Sequence, residues 1–221
     1  MLLHRKKLSK KQVIQMNDIK MEGEPAQFES GAVRYTKNGK GRFDLIPGEV
    51  IVDIMDYVNN MDGLYIAVNR SDLIKFAYET CANDMSKNIN RYFETIINIV
   101  CMKYAPTKHT VDEETGYETV RVSPDEFIIG FCKMLKELSK HYENGAEKYG
   151  IDNWKKGIPV IGGPRGGSFT DSGLRHFNQW MCGETDEPHA IACIWNFIGA
   201  IWTLKYKQDN VVEHLLHDIV E

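Results

Sequence analysis

Apolar residues recur at helical spacing over most of the chain. Val50, Ile51, Ile54, Met55 and Val58 form one stripe that starts just after Pro47. A longer helical pattern covers residues 72–104 and includes Ile74, Phe76, Ala77, Phe93, Ile96, Ile97, Val100 and Cys101. A third stripe runs Ile128, Phe131, Cys132, Leu135, Leu138, Tyr142, Ala146 and Tyr149, which keeps one face inward until Gly150. Its start is marked by Ser123-Pro124-Asp125-Glu126: a capping serine, proline at the first helical position and glutamate at the third. A short helix is predicted from about Thr170 to Met181, ended by Gly183. Thr185 or Asp186 then caps a helix to about Lys205, apolar nearly all round from Ile191 to Leu204 and hence buried. Val211, Leu215, Leu216 and Ile219 form a last amphipathic segment.

The remainder reads differently. Residues 1–27 form a basic arm with Arg5, Lys6, Lys7, Lys10 and Lys11. Residues 28–47 are Gly-rich loop with short extended pieces, and 155–168 are a Gly/Pro-rich loop. Thr115-Gly116 between Val111 and the alternating Val120 and Val122 predicts a small β-hairpin. The predicted fold is therefore mainly α, a helical bundle with a small β-hairpin insertion. Its core comprises 28–60 and 126–221, and 61–125 is an inserted accessory segment.

Composition narrows the function classes. Hydrophobic residues at 43% and charged residues at 26% of 221 indicate a globular chain. A net charge of −4 argues against general nucleic-acid binding but leaves room for a small anion in a local basic pocket. The five cysteines lack metal-site spacing and read as reduced thiols. No apolar run suits a signal or a membrane span, so a cytoplasmic protein is expected.

Candidate chemistry lies on the predicted helices. Glu143 and Glu147 stand four residues apart at the edge of a buried face, where a divalent cation or the flanking Lys140 and Lys148 would offset their repulsion. Asn196 interrupts an apolar run, with His189 seven residues earlier on the same stripe; a buried amide needs partners, either backbone or a ligand. Ser172, His176 and Gln179 share a stripe, and Asp171 and Arg175 form an i,i+4 pair. The Gly-rich loops carrying Lys37, Lys40 and Arg42, and Arg165, could meet phosphate, although neither is a P-loop.

Several segments in order carry a resemblance: FESGAVR (28–34), GKGRFDLIP (39–47), GAEKYGIDNW (145–154), KKGIP (155–159), LRH (174–176), GETDEPHA (183–190) and IWNFI (194–198). Together they are similar to the dATP/dGTP diphosphohydrolase N-terminal family of phages, itself related to the MazG-like all-α pyrophosphohydrolases. The resemblance implies Mg²⁺ (or Mn²⁺), with Glu143 and Glu147 as catalytic metal ligands and Asp171 and His189 as additional ligands. It implies a nucleotide pocket lined by Lys148, Asn153 and Trp154, with Arg34, Lys40 and Arg42 on the phosphates; the loop and helix patterns add Arg165, Arg175, His176, Gln179 and Asn196 as candidate substrate residues. The implied reaction gives a monophosphate, from a purine deoxynucleoside triphosphate by preference, and pyrophosphate. It also implies a homo-oligomer, in the host cytoplasm if phage-encoded. Two departures keep an alternative open. The acidic spacing is ExxxE rather than ExxE, and Ala192 stands where a second histidine is common. The alternative is a protein that sequesters a nucleotide or cyclic nucleotide without turnover, as a counter-defence sponge.

Overall fold

The computed structural model describes residues 25–27, 29–35, 39–60, 70–82, 89–106, 108–111, 118–162 and 167–207. The basic arm, Arg165 and the amphipathic segment from Val211 lie outside them. The chain divides into a unit of residues 1–40 and a unit of residues 41–221. In the first, strand β1 (Pro25–Gln27) pairs antiparallel with β2 (Val33–Tyr35), with Ala26 opposite Arg34.

The second unit is mainly α. Its elements are α1 (Gly48–Asn59), α2 (Arg70–Ala82), α3 (Ile89–Ile99), β3 (Lys108–Val111), β4 (Glu118–Arg121), α4 (Pro124–Tyr149), α5 (Phe169–Met181) and α6 (His189–Tyr206). Strands β3 and β4 pair antiparallel, with His109 opposite Val120.

Within the long pattern over 72–104 the described residues form two helices that pack against each other. These are α2 and α3, and Val100–Tyr104 continues α3 as a wider π turn. The apolar period alone does not distinguish these outcomes, and it over-reads the stripe, since Ile74 is exposed and Phe76 only half-buried. From the stretch expected as an insertion, α2 and α3 supply Leu73, Ala77, Tyr92, Phe93, Ile96 and Ile97 to the same core as α6. The stripe on α4 also needs trimming: Ile128, Cys132 and Tyr149 are exposed, while Phe127 and Met134 are buried.

The start of α4 forms as its sequence dictates. Ser123 Oγ accepts from the Glu126 backbone N–H, and Glu126 Oε2 accepts from the Ser123 backbone N–H at 2.8 Å. Further along, α4 lies close against the π turn at Gly130. A Cβ there would stand 2.7 Å from the Ala105 backbone nitrogen and 2.8 Å from its Cα, and backbone cannot swing aside. Gly130→Ala is therefore expected to destabilise the fold by about 1–3 kcal/mol, the usual cost of overpacking. Equilibrium denaturation in urea would measure it; an unchanged midpoint would refute the close approach.

Helices α5 and α6 form the central pair. Gly173 of α5 sits against the Phe197 ring, and Gly199 of α6 sits against the Phe169 ring. These reciprocal contacts bring the two helices close enough for side chains across the α5–α6 turn to meet.

Candidate functional site

The N-terminus of α6 does not lie where the sequence suggested. Pro188 is the N-cap and His189 opens the helix. Asp186 is not the cap; its Oδ1 accepts from His189 Nε2 at 2.8 Å. His189 is 2% exposed and faces His176 of α5, 8% exposed, with their Nδ1 atoms 3.1 Å apart. Glu187 Oε2 lies 3.8 Å from His176 Nδ1. On the other edge of His176, Arg175 Nη2 is 3.2 Å from Nε2.

The partners order this chain. A guanidinium can only donate, so His176 Nε2 accepts and its proton sits on Nδ1. That proton goes to His189 Nδ1. His189 in turn carries its proton on Nε2 and donates to Asp186. Both imidazoles are thus neutral and all four ring nitrogens are engaged.

Electrostatics agree with neutrality at His176, whose pKa is lowered to about 4 by burial first and by Arg175 second. Asp186 is held below the ordinary carboxylate range, chiefly by its bond to His189. His141 of α4 lies close enough to be felt by His176, and burial lowers its pKa too. A histidine kept neutral in the fold opposes protonation that the unfolded chain accepts from about pH 6.5 downwards. The stability this confers is complete above that pH and is lost as the pH falls towards about 4. The denaturation midpoint of metal-free protein is expected to be flat near pH 7 and to fall steadily between those limits. A flat profile down to pH 4.5 would contradict the neutral pair.

The carboxylates expected from α4 lie elsewhere. Glu143 Oε2 accepts from the Gly41 backbone N–H at 3.0 Å, and the Arg42 N–H bonds the Ser139 carbonyl at 2.9 Å. These bonds seat the 41–45 turn on α4. Gly41 adopts φ +87°, and a Cβ there would collide with Ser139. Glu147 is exposed. Among the described residues, groups of three or more His, Cys, Asp or Glu with converging ligand atoms occur only at the α5–α6 turn: His176–Glu187–His189 and Glu184–Asp186–His189. Of the four expected ligands, only His189 is in them; Asp171 is exposed in the first turn of α5.

The expected substrate residues divide similarly. Arg42 forms a two-pronged ion pair with Asp44, at 2.6 and 2.8 Å. Lys40 is exposed, and Arg34 lies in β2. Gln179 accepts from Arg175 and donates to Glu184 across the α5–α6 turn. Asn196 donates to the Ala192 carbonyl of its own helix at 2.8 Å. Lys148 is exposed, its ammonium over the Tyr149 ring, within electrostatic range of Glu187.

Asn153 and Trp154, by contrast, do meet at a cavity of about 330 Å³. Its walls are Leu45, Tyr142, Gly145, Ala146, Tyr149, Gly150, Asp152, Asn153, Trp154, Ile158 and Trp195. Trp154 is 8% exposed and borders Tyr142, Phe169, Trp195 and Trp202 edge to face. The Tyr142 hydroxyl is buried with no hydrogen-bond partner among the described residues, and burial raises its pKa strongly. Trp195 connects this cavity to the histidines, its ring centroid 5.7 Å from that of His141.

Sequence reasoning passed over Glu184, Asp186, Glu187, His141 and the Tyr142 hydroxyl. The signal for the first three was three carboxylates within four residues immediately before a histidine that opens a buried helix.

Among the described residues, no helix is long and apolar enough to cross a membrane. No curated protein and no solved structure matches the chain. Residues 112–211 match the family model described as dATP/dGTP diphosphohydrolase, N-terminal, a span that holds β4, α4, α5, α6, the histidine pair and every cavity residue except Leu45. Over that span the chain resembles the dATP/dGTP diphosphohydrolase N-terminal family.

Proposed function

We propose that this chain binds a purine deoxynucleoside triphosphate and hydrolyses it to the monophosphate and pyrophosphate. The observation that carries this reading is the aromatic-walled cavity, which lies within the matched span apart from Leu45, with a buried tyrosine hydroxyl that lacks a partner among the described residues. A cavity of this size and lining suits a flat heterocycle. Aromatic walls receive the faces of a base, and Tyr142 with Asn153 offers donors and acceptors to its edge.

The polar chemistry belongs to the α5–α6 turn. A bound triphosphate would run past His141 towards Arg175 and Lys148, which offset its charge. Water adds to the α-phosphorus, the bond to the bridging oxygen breaks, and pyrophosphate leaves. His189, oriented by Asp186, is the group that would handle the water's proton once a ligand opens its bond to His176. Glu143 takes a supporting role in this reading, as the acceptor that fixes the 41–45 turn. The Mg²⁺ that the resemblance implies needs several oxygen ligands. Glu143 and Glu147 are joined by no third ligand group among the described residues, so no step is assigned to that ion.

A second reading, sequestration without turnover, is favoured by one observation: the chain Arg175–His176–His189–Asp186 engages every imidazole nitrogen. The homo-oligomer also stands as a proposal, to be weighed by light scattering against the 25.4 kDa chain mass.

Tyr142→Phe tests the cavity. The variant removes a buried unsatisfied oxygen, so the free protein is expected to gain about 1 kcal/mol of stability. The same change removes a bond to the base, so equilibrium dialysis is expected to show purine triphosphate binding weakened about 3–10-fold. Unchanged affinity, or equal binding of purines and pyrimidines by the wild type, would count against a base in this cavity.

A further inference from the structure

We propose that His176, His189 and Glu187 form a binding site for a borderline divalent ion of the Zn²⁺ class, and that the ion replaces the proton held between the two imidazoles. Geometry and donor chemistry define this site whatever the substrate is.

One donor atom from each residue lies within 4.8 Å of the others. The two Nδ1 atoms are 3.1 Å apart. Two nitrogens on one tetrahedral ion, each bound at about 2.0–2.1 Å, stand about 3.3 Å apart. The pair therefore needs almost no movement to exchange a shared proton for a shared ion. Glu187 brings its carboxylate from the exposed rim, 3.8 Å from His176 Nδ1. It supplies negative charge on the side from which an ion would arrive.

The surrounding contacts fit the same role at His189. Its Nε2–H donates to Asp186, which leaves the Nδ1 lone pair directed at His176. A carboxylate on the far nitrogen of a ligating histidine fixes the ring and raises its basicity. Asp186 is 2.8 Å from that nitrogen.

His176 is arranged in the opposite sense. Arg175 donates to its Nε2, which forces the proton onto Nδ1, the atom an ion would need. Ion binding at Nδ1 moves the ring proton to Nε2, where it faces the arginine N–H, and the contact must break. The proton that lay between the imidazoles is the one that ends on Nε2, carried by way of solvent, so both rings stay neutral and no net proton is released. Arg175 is exposed and can swing away. The site therefore has two exclusive states: a closed state with Arg175 on His176, and a metal state with Arg175 released to meet an anion. The metal state releases a cation beside the proposed phosphate path, but it also occupies His189 Nδ1, so metal binding and the proton transfer proposed for His189 are alternative states of the site.

Donor type sets the ion class. Two imidazoles and one carboxylate suit Zn²⁺, Co²⁺ or, more weakly, Mn²⁺. Mg²⁺ prefers oxygen and retains its waters, so it gains little from this pair.

The test uses full-length protein stripped with chelator and titrated with Co²⁺ alone, without nucleotide. The expected result is one equivalent giving the intense visible bands of a four- or five-coordinate ion, displaced by Zn²⁺ but not by millimolar Mg²⁺. His189→Ala is expected to remove the bands. Because that variant alters a buried residue, Glu187→Gln at the exposed rim serves as the fold-safe partner and is expected to weaken binding at least tenfold. Asp186→Asn should weaken it about 10–100-fold. Arg175→Ala should tighten it several-fold, the reverse of a merely structural arginine. Weak, octahedral Co²⁺ signals in the wild type, equal competition by Mg²⁺, or bands that survive Glu187→Gln and His189→Ala would overturn the proposal. Metal binding with no hydrolysis of any nucleotide would leave this site standing and defeat the proposed reaction alone.

Discussion

His189→Ala is expected to lower kcat/KM for the preferred triphosphate by at least about 10³-fold, within the range found when a positioned acid or base is removed. The residue is 2% exposed and held by Asp186 on one side and His176 on the other, so no neighbour can take its place. Nucleotide affinity should change much less, since the cavity walls do not include it. The measurement is steady-state hydrolysis beside equilibrium dialysis, with circular dichroism to confirm the fold. A loss of binding equal to the loss of rate would show that His189 shapes the pocket rather than the reaction. Glu143→Gln is the informative contrast. An amide oxygen still accepts from the Gly41 N–H, so the 41–45 turn stays on α4 and the rate should fall less than about tenfold. A loss as large as that at His189 would return the centre to the α4 carboxylates.

The second large effect is on stability. Trp154→Ala is expected to cost about 3–5 kcal/mol, the usual range for deleting a buried large aromatic. Four rings pack edge to face on Trp154, and Lys155 stands over it at 5.3 Å from the centroid. The indole is the hub that holds the 3₁₀ turn Asn153–Lys156 against α4 and α6. For a chain of this size the melting temperature should drop by about 10 °C or more. Lost nucleotide binding in that variant would not establish stacking, since the cavity itself collapses. Trp154→Phe separates the roles: it keeps an aromatic wall, should recover most of the stability, and should retain measurable binding. A melting temperature unchanged in Trp154→Ala would contradict the hub.

How much of this was legible depended on distance along the chain. The α4 cap was readable because Ser123, Pro124 and Glu126 act within one turn. The buried character of α6 was readable because an all-round apolar run has nowhere else to go. The histidine pair was not, since His176 and His189 sit thirteen residues apart across a turn whose geometry depends on Gly173 and Gly199. Each was singled out alone, His189 as a metal ligand and His176 against the substrate, but nothing local shows that the two rings meet. Asp186 read as a helix cap and Glu184 and Glu187 drew no role, because nothing local shows which carboxylate bends back to a ring. Tyr142 sat in an apolar stripe, and spacing carries no record of a hydroxyl without a partner. The ExxxE pair illustrates the converse: its spacing was visible, but Glu143 is engaged by a backbone N–H about a hundred residues away in sequence.

The most direct test of the central claim is a mass balance. Excess metal-supplemented protein is incubated with a panel of nucleoside triphosphates, deoxynucleoside triphosphates and cyclic nucleotides, and free ligand is quantified by chromatography before and after heat denaturation. A purine deoxynucleoside triphosphate is expected to disappear and to be matched, mole for mole, by its monophosphate and pyrophosphate. Intact nucleotide released on heating would contradict hydrolysis and establish sequestration. A panel left wholly unbound would contradict the nucleotide site itself.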